Sequence, residues 1–215
     1  MKKDKCNVQL KHFTPLNVAL EAGLICTNSE NNIDKYNAEN FISKLLSNGH
    51  ESVIEHINYT FVIDNISRAM LQELARHRHI SLSVQSTRWA LKKLANNADK
   101  MSTDIFPNKK DINYDELYAE NQSYFDTIYD KYTDILDCIT SLSANGIPND
   151  VLKYFLPEAL TTKLMLTLNA RELRLIFKLR SKAPALLEFQ NWCSMVYNAI
   201  PADHKFMFSE FFNDN

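Results

Sequence analysis

The segment RHRHISLSVQSTR, residues 76–88, organises the rest of this sequence. It places Arg76, His77, Arg78 and His79 in succession and reaches another guanidinium group at Arg88. Guanidinium groups donate several fixed hydrogen bonds while they stay charged, so a cluster of them beside hydroxyl groups suits oxyanions. The segment therefore predicts a phosphate or nucleotide site, and the alternative is a solvated basic turn.

The residues that lead into this segment have the spacing of a helix. From position 65 the sequence reads NISRAMLQELARHR, in which Ile66, Met70 and Leu74 recur on one side. Ser67 can cap the start of this helix, because its hydroxyl can accept a hydrogen bond from a free backbone N–H.

Two polar groups on the predicted helix, Glu73 and His77, lie four residues apart on its apolar side. Both would point inward, where a polar group needs a partner. After His79 the alternation changes to a period of two. If the backbone stays extended, Ser86 and Arg88 point to one side, which predicts that a hydroxyl and a guanidinium converge.

At these residues the sequence resembles the flavin-dependent thymidylate synthases. The signature of that family is Arg-His-Arg, seven residues, then Ser, usually followed two places later by Arg, and here it occupies positions 76–88. The segments GHESVIEH at 49–56 and NARELRLIFKLR at 169–180 resemble two further elements of the family. The resemblance covers roughly residues 14–188.

The composition is that of a soluble globular protein. The 215 residues are 45% hydrophobic and 23% charged, and we expect them to form one domain, residues 1–215. The net charge of -2 gives no global electrostatic argument for binding nucleic acid or an anionic membrane. No apolar run has the length of a membrane span and the lysines at the N-terminus precede no signal-peptide core, so we expect a cytoplasmic protein.

The numbers and spacing of glycine, cysteine and histidine restrict which kinds of ligand or metal site we expect. The three glycines form neither GxGxxG nor GxxxxGK, so a ligand must be held mainly by side chains and helix ends. The four cysteines form no CxxC pair, and we expect them to be reduced and mostly buried. A metal site built from the histidines at 50, 56, 77 and 79 is disfavoured by their spacing. His12 and His204 are expected at the surface or at the edge of the core.

Hydrophobic periodicity indicates a mixture of strands and helices. The resemblance implies an α+β fold, a single domain with a central, largely antiparallel sheet flanked by helices. Thr14 and Pro15 predict a helix start, with Thr14 as the cap. A polar loop is expected at 95–111. The predicted strands are 8–13, 56–64 and 160–168, and the predicted helices are those beginning near 15 and 65 and those at 34–48, 113–144, 148–156, 170–182 and 184–200.

The helix at 170–182 has two distinct charged sets. Arg171, Arg174 and Lys178 share one face, which by itself indicates only solvation. Arg180 instead falls on the apolar face, with residues such as Phe177. A buried guanidinium without a partner is costly, so Arg180 is expected to meet an anion or a polar ligand in a pocket.

The resemblance implies an enzyme that methylates dUMP to dTMP with the one-carbon unit of methylenetetrahydrofolate. FAD reduced by NADPH would supply the hydride, and no metal is expected. The family forms homotetramers whose active sites combine several subunits. Neither nucleic acid nor a membrane is an expected partner.

The resemblance also implies which residues bind each ligand. Val84 stands where many members have Glu or Gln, a loss for which Gln85 could compensate, and Lys153 stands where an arginine is common. Folate is expected near His50. The residues implied for dUMP are Glu73, Leu74, Ala75 and Arg76 from one subunit, Val84, Gln85, Ser86, Thr87 and Arg88 from another, and Lys153 and Arg180. Those implied for FAD are Ser52, Glu55, Arg76, His77, Arg78, His79, Asn169, Arg171 and Arg174.

Arg180 is the expected catalytic residue, because a preorganised guanidinium can stabilise negative charge across N3 and the carbonyl groups of uracil. No cysteine lies in a motif and Ser86 has no base beside it in sequence, so we expect no cysteine nucleophile and assign Ser86 to binding. Two alternatives stay open. One is a non-enzymatic binder of nucleic acid or phosphorylated ligands that uses residues 76–88, and the other is a flavoenzyme that methylates a different uracil-containing substrate.

Overall fold

Four strands form one antiparallel sheet in the computed structural model of this chain, which describes residues 6–89, residue 91 and residues 115–212. For residues 115–119 it describes the backbone alone. The strands lie in the order β1-β2-β4-β3, so the two longest strands form the centre. Their bounds are β1 Asn7–Phe13, β2 Asn58–Ser67, β3 Ile80–Val84 and β4 Thr161–Asn169.

Helices flank this sheet, which confirms the predicted α+β fold. The loop expected at 95–111 lies outside the described residues. The α-helices are α1 Leu16–Ile25, α2 Ala38–Ser47, α3 Arg68–Leu74, α4 Asp115–Ala144, α5 Asn149–Leu152, α6 Ala170–Arg180 and α7 Leu187–Ala199. Short 3-10 helices occupy Glu30–Lys35, Glu51–His56, Lys153–Phe155, Ala202–Met207 and Ser209–Phe211.

The core lies between one face of the sheet and helices α6 and α7. Tyr59, Phe61 and Ile63 alternate along β2 and are fully buried, as their period of two predicts. Phe177 of α6 and Trp192 of α7 are buried in the same cluster. Full burial of one such side chain contributes about 2 kcal/mol, so this face provides much of the stability that positions the site.

A bulge at Asn65 decides how β2 passes into α3. Asn65 has a φ of 62°, and the pairing of β2 with β4 shifts register between Asp64 and Ile66. A bulge bends its strand and re-aims the following residues. The prediction that a helix begins at Asn65 is therefore wrong, because residues up to Ser67 belong to the strand. Ser67 does cap α3, since its Oγ accepts a hydrogen bond from the N–H of Met70 at 3.0 Å.

Other local predictions are corrected by longer-range contacts. Thr14 does not cap α1: its Oγ1 accepts a hydrogen bond from the backbone N–H of Asn58, which ties the end of β1 to the start of β2. Residues 34 and 35, predicted in the second helix, belong to the preceding 3-10 helix, and the cap of α2 is Asn37. His204 is fully buried, and its Nδ1 lies 2.7 Å from Oη of Tyr59, so its expected place at the surface or core edge is wrong.

The cysteines are free but not mostly buried. Cys193 is buried, Cys6 is half-buried, and Cys26 and Cys138 are exposed. Cys26 follows the last residue of α1, and Cys138 lies on the solvent side of α4, so position and not residue type sets their exposure. Among the described residues, no helix has the length and apolar character needed to cross a membrane.

Candidate active site

The Arg-His-Arg segment forms a turn between α3 and β3. Helix α3 ends at Leu74, and the N–H of His77 donates to the carbonyl of Leu74 at 3.1 Å. The turn buries His77 and leaves Arg76, Arg78 and His79 exposed. One imidazole therefore enters the core while the cations around it remain available to a ligand.

His77 meets a second buried polar group from α6. Its Nδ1 lies 3.3 Å from Oε1 of Glu172, and each side chain is 6% exposed. Burial lowers the pKa of His77 more strongly than the carboxylates of Glu172 and Glu73 raise it, and the charge of Arg180 lowers it further. The ring is therefore neutral at pH 7, and within the described part of the chain its Nε2 has no hydrogen-bond partner.

Arg180 finds its predicted anion within the chain. Its Nη2 lies 3.0 Å from Oε2 of Glu73, and its guanidinium carbon lies 5.5 Å from the ring centre of Phe189. The side chain of Arg180 is 22% exposed and that of Glu73 is 32% exposed, so Glu73 is less inward than the sequence predicts. The reason is that α3 ends three residues before His77 and the two side chains do not share one helix face. In the described residues, the buried Nε of Arg180 has no hydrogen-bond partner.

A cleft of about 650 Å³ includes Glu172 in its lining, whereas His77, Glu73 and Arg180 do not line it. Its volume is in the range of small-molecule binding sites. The face of α6 that sequence analysis treated as solvated forms one wall, because Arg171, Arg174 and Lys178 all line it. The complete lining is Glu51, Glu55, His79, Asn169, Arg171, Glu172, Arg174, Leu175, Lys178, Glu210 and Phe211.

Carboxylates from the 3-10 helix Glu51–His56 hold the arginines of this wall. Arg171 Nη1 donates to Oε1 of Glu55 at 2.6 Å, a bond that raises the pKa of Arg171. Arg174 Nε donates to Oε1 of Glu51 at 3.2 Å. Such charge-assisted bonds fix the guanidinium planes before a ligand arrives. The cleft is thus preorganised by pairs of residues more than a hundred positions apart in sequence.

Comparison with known proteins assigns the chain to a family. The family model described as "Thymidylate synthase complementing protein" matches residues 9–202. The chain belongs to the flavin-dependent thymidylate synthase family. This confirms the resemblance drawn from the motifs.

Individual family members agree over most of the chain. It is 39% identical over 165 residues to the flavin-dependent thymidylate synthase of Campylobacter jejuni (strain RM1221), covering 74% of this chain and 73% of that protein. It is 33% identical over 206 residues to that of Helicobacter pylori (strain ATCC 700392 / 26695), covering 93% and 96%. The fold is similar to a crystal structure of Helicobacter pylori ThyX with FAD and dUMP, with a TM-score of 0.81 and 28% identity, over 97% of this chain and 100% of that one.

The three family motifs meet at the cleft. Glu55 comes from the segment at 49–56, His79 follows the Arg-His-Arg triplet, and Asn169 and Arg171 begin the third motif. Asn169 also caps α6, because its Oδ1 accepts a hydrogen bond from the N–H of Glu172 at 2.8 Å. Segments far apart in sequence therefore converge, as the implied flavin site requires.

Other implied residues lie away from this cleft. The prediction that residues up to Arg88 remain extended is wrong: β3 ends at Val84, and residues 87–89 are helical. Arg88 Nη1 lies 3.1 Å from Oδ1 of Asp150, and Lys153 is exposed beside Tyr154. The strand β3 separates His79 from Gln85 by six residue steps, or about 20 Å.

Sequence reasoning missed six residues that line the cleft, among them Leu175 and Lys178 of α6. Glu51 and Glu172 are acidic residues inside recognised motifs, and a search for carboxylates to pair with Arg171 and Arg174 could have found them. Glu210 and Phe211 belong to a C-terminal 3-10 helix with no sequence signal for a site. Within the described ranges, no group of three or more His, Cys, Asp or Glu side chains is placed to hold a metal ion.

Proposed function

We propose that this protein reductively methylates dUMP to dTMP, with methylenetetrahydrofolate as the one-carbon donor and FAD reduced by NADPH as the source of hydride. The observation that carries the proposal is the meeting of three separate family motifs at one preorganised cleft. Membership of the family and the likeness to a ThyX structure with FAD and dUMP support it.

The residues present fit a flavin dinucleotide. Lys178 offers positive charge for a diphosphate, Arg171 carries a charge already paired with Glu55 and Glu51, and Phe211 offers an apolar ring surface. Two buried nitrogens, Nε2 of His77 and Nε of Arg180, lack hydrogen-bond partners among the described residues, and both belong to residues outside the cleft lining. When bound, FAD supplies the hydride chemistry, and the protein supplies position and electrostatics.

In this proposal Arg180 activates the uracil ring. Methylation at C5 requires an electron-rich ring, and a guanidinium that stays charged stabilises negative charge across N3 and the carbonyl groups. Glu73 orients Arg180 through the 3.0 Å ion pair, and the ring of Phe189 supports the guanidinium from behind. Little reorganisation is then needed when charge develops.

A cysteine nucleophile has no place in this mechanism. Cys193, the cysteine whose thiol lies near Arg180, is fully buried, and burial raises its pKa even though the charge of Arg180 opposes the shift. A thiol of raised pKa yields little thiolate, which is the nucleophilic form. Ser86 therefore acts in binding dUMP and not as a nucleophile.

The remaining roles follow the family pattern. Lys153 would hold the dUMP phosphate as a point charge, and folate would approach near His50. The proposed dUMP residues are Glu73, Leu74, Ala75, Arg76, Val84, Gln85, Ser86, Thr87, Arg88, Lys153 and Arg180. The proposed FAD residues are Ser52, Glu55, Arg76, His77, Arg78, His79, Asn169, Arg171 and Arg174.

The proposal includes a homotetramer of single-domain, cytoplasmic subunits. One chain keeps residues 84–88 at the far end of β3 from the cleft, so a complete dUMP site needs a second subunit to supply them. Helix α4 offers a surface for association, because one side of it exposes apolar side chains. These are Tyr124, Ile128, Ile135 and Leu142.

The test is the visible absorbance spectrum of the purified protein supplied with FAD, followed by anaerobic addition of NADPH with and without dUMP. We expect a flavin spectrum that NADPH bleaches and dUMP alters, and dTMP formation once methylenetetrahydrofolate is added. If the protein binds no flavin even when FAD is added, the proposed function is wrong, because it requires FAD. If dUMP does not change flavin reduction but another uracil nucleotide does, the substrate is that other nucleotide.

A further inference from the structure

One wall of the cleft comes from residues 207–211, which we call the C-terminal wall. Glu210 and Phe211 line the cleft, and both lie against Arg174 of the third family motif. This segment lies outside residues 9–202, the part of the chain that the family model matches. The C-terminal wall therefore contains none of the three family motifs.

Arg174 binds the C-terminal wall to the rest of the cleft. All three nitrogens of its guanidinium group are engaged: Nε with Glu51 at 3.2 Å, Nη1 with the carbonyl of Met207, and Nη2 with the carboxylate of Glu210. The side chain of Arg174 is 14% exposed. Two carboxylates already neutralise its charge, so Arg174 has the geometry of a tie between segments more than that of a free phosphate ligand.

Phe211, the last residue of the C-terminal wall, and Phe212, which follows it, have different environments. Phe211 lines the cleft, with its ring centre 5.3 Å from the guanidinium carbon of Arg174. Phe212 packs on the core, where its ring stacks on Tyr197 at 4.4 Å and meets Phe177 edge-on at 4.9 Å. Only the first of the pair presents its ring to the space a ligand would fill.

We propose that Phe211 is a further ligand-binding residue, whose ring packs on a planar ring of the flavin dinucleotide, and that Glu210 positions this wall through Arg174. The proposal rests on the function proposed above. Aromatic rings pack favourably in offset or edge-on geometry, and a ring already ordered against a guanidinium loses little freedom on binding. FAD offers two planar rings, isoalloxazine and adenine, with the same chemistry for this contact.

The test compares Phe211→Leu with its matched control, Phe212→Leu, in the full-length protein. Dissociation constants for FAD are measured by flavin fluorescence titration, and melting temperatures are measured without FAD. We expect Phe211→Leu to weaken FAD binding about five- to tenfold. Its melting temperature should fall less than that of Phe212→Leu, because the ring centre of Phe211 lies 6.5 Å from that of Phe177 and that of Phe212 lies at 4.9 Å. Phe212→Leu should lower the melting temperature and leave FAD affinity near that of the wild type.

A parallel titration with FMN, which lacks adenine, identifies the ring in contact. Equal weakening for FMN and FAD assigns Phe211 to isoalloxazine, and weakening for FAD alone assigns it to adenine. Wild-type FAD affinity in Phe211→Leu would overturn the contact. Absence of FAD binding by the wild-type protein would instead overturn the proposed function, so the two failures are distinguishable.

Glu210→Gln tests the positioning role, because it removes the charge that holds Arg174 and keeps the shape of the side chain. We expect the KM for FAD to rise a few-fold while kcat at saturating FAD stays unchanged. A loss of fold would instead lower the apparent kcat together with the melting temperature. An unchanged KM for FAD would overturn the positioning role of Glu210.

Discussion

Nη2 of Arg180 lies 3.0 Å from Oε2 of Glu73, so the end of α6 is tied to the last turn of α3. The same carboxylate group also lies 3.6 Å from Nη1 of Arg76, the first residue of the Arg-His-Arg signature. A single glutamate therefore connects two family motifs that are about a hundred residues apart. The proposed roles of Arg180 and Glu73 can be separated by mutation.

Arg180→Ala should reduce dTMP formation about 100- to 1000-fold, as loss of one preorganised charge-stabilising group does. The fold should survive, because the pair is partly exposed and contributes about 1 kcal/mol or less. Turnover is measured with saturating FAD, and thermal unfolding is followed in parallel. Lys182→Ala, an exposed charge on the segment just after α6, is the matched control and should keep full turnover. Normal turnover in Arg180→Ala would contradict the assigned role.

Glu73→Gln should lower turnover less than Arg180→Ala, because the guanidinium remains but loses the carboxylate that orients it. The double variant should be no slower than Arg180→Ala alone, since residues that act as one unit are not additive. Steady-state kinetics of the four proteins give the comparison. If the fold-reduction in turnover of the double variant equals the product of those of the two single variants, Glu73 acts independently of Arg180.

Replacement of all four cysteines by alanine should leave dTMP formation intact. Burial raises the pKa of Cys193, and Cys26 and Cys138 are exposed outside the cleft lining. The stability cost should come mainly from the buried Cys193 position, at about 1 kcal/mol. Turnover of the variant is assayed below its melting temperature. An inactive but folded variant would point to a thiol in the reaction.

Acidification should destabilise the protein through its buried histidines. Burial lowers the pKa of His77 and of His204, so the unfolded chain binds these protons more readily than the folded one. Stability from burying the neutral rings is complete above about pH 6.5 and is lost as pH falls below it. Urea unfolding at pH 7.5 and pH 5.5 measures the difference. His204→Gln should reduce the loss of unfolding free energy between pH 7.5 and pH 5.5. An unchanged loss in that variant would show that His204 does not contribute to it.

Gly23→Ala should destabilise the fold by about 1–3 kcal/mol through overpacking. A Cβ at Gly23 would lie 2.6 Å from Cε1 of Phe41 and 3.1 Å from Cδ1 of Leu45, at the contact of α1 with α2. Chemical denaturation of the variant provides the value. Phe41→Leu in the Gly23→Ala background should recover part of the loss by making room. If it recovers none, the cost lies elsewhere than in this contact.

Much of the fold could be predicted because its signals are local. The burial of Tyr59, Phe61 and Ile63 follows from a period of two in β2, and the burial of Phe177 follows from the helical period of α6. Ser67 could be identified as a cap from its position before a helical pattern. The bulge at Asn65 could not, because it depends on how β2 and β4 pair across the sheet.

The sequence by itself determined the family through its spaced motifs, and the main strands and helices through local periodicity. A helical pattern predicts that His77 points inward, but α3 ends at Leu74 and the turn that follows it buries the ring. Only the tertiary structure decided that Glu73 pairs with Arg180, that Glu172 pairs with His77, and that Glu51 and Glu210 hold Arg174. The partner of a buried charge is chosen by distance in space. Partners separated by up to about 120 residues produce no local pattern in the sequence. They are identified only once α6 is seen to pack against α3 and the 3-10 helices.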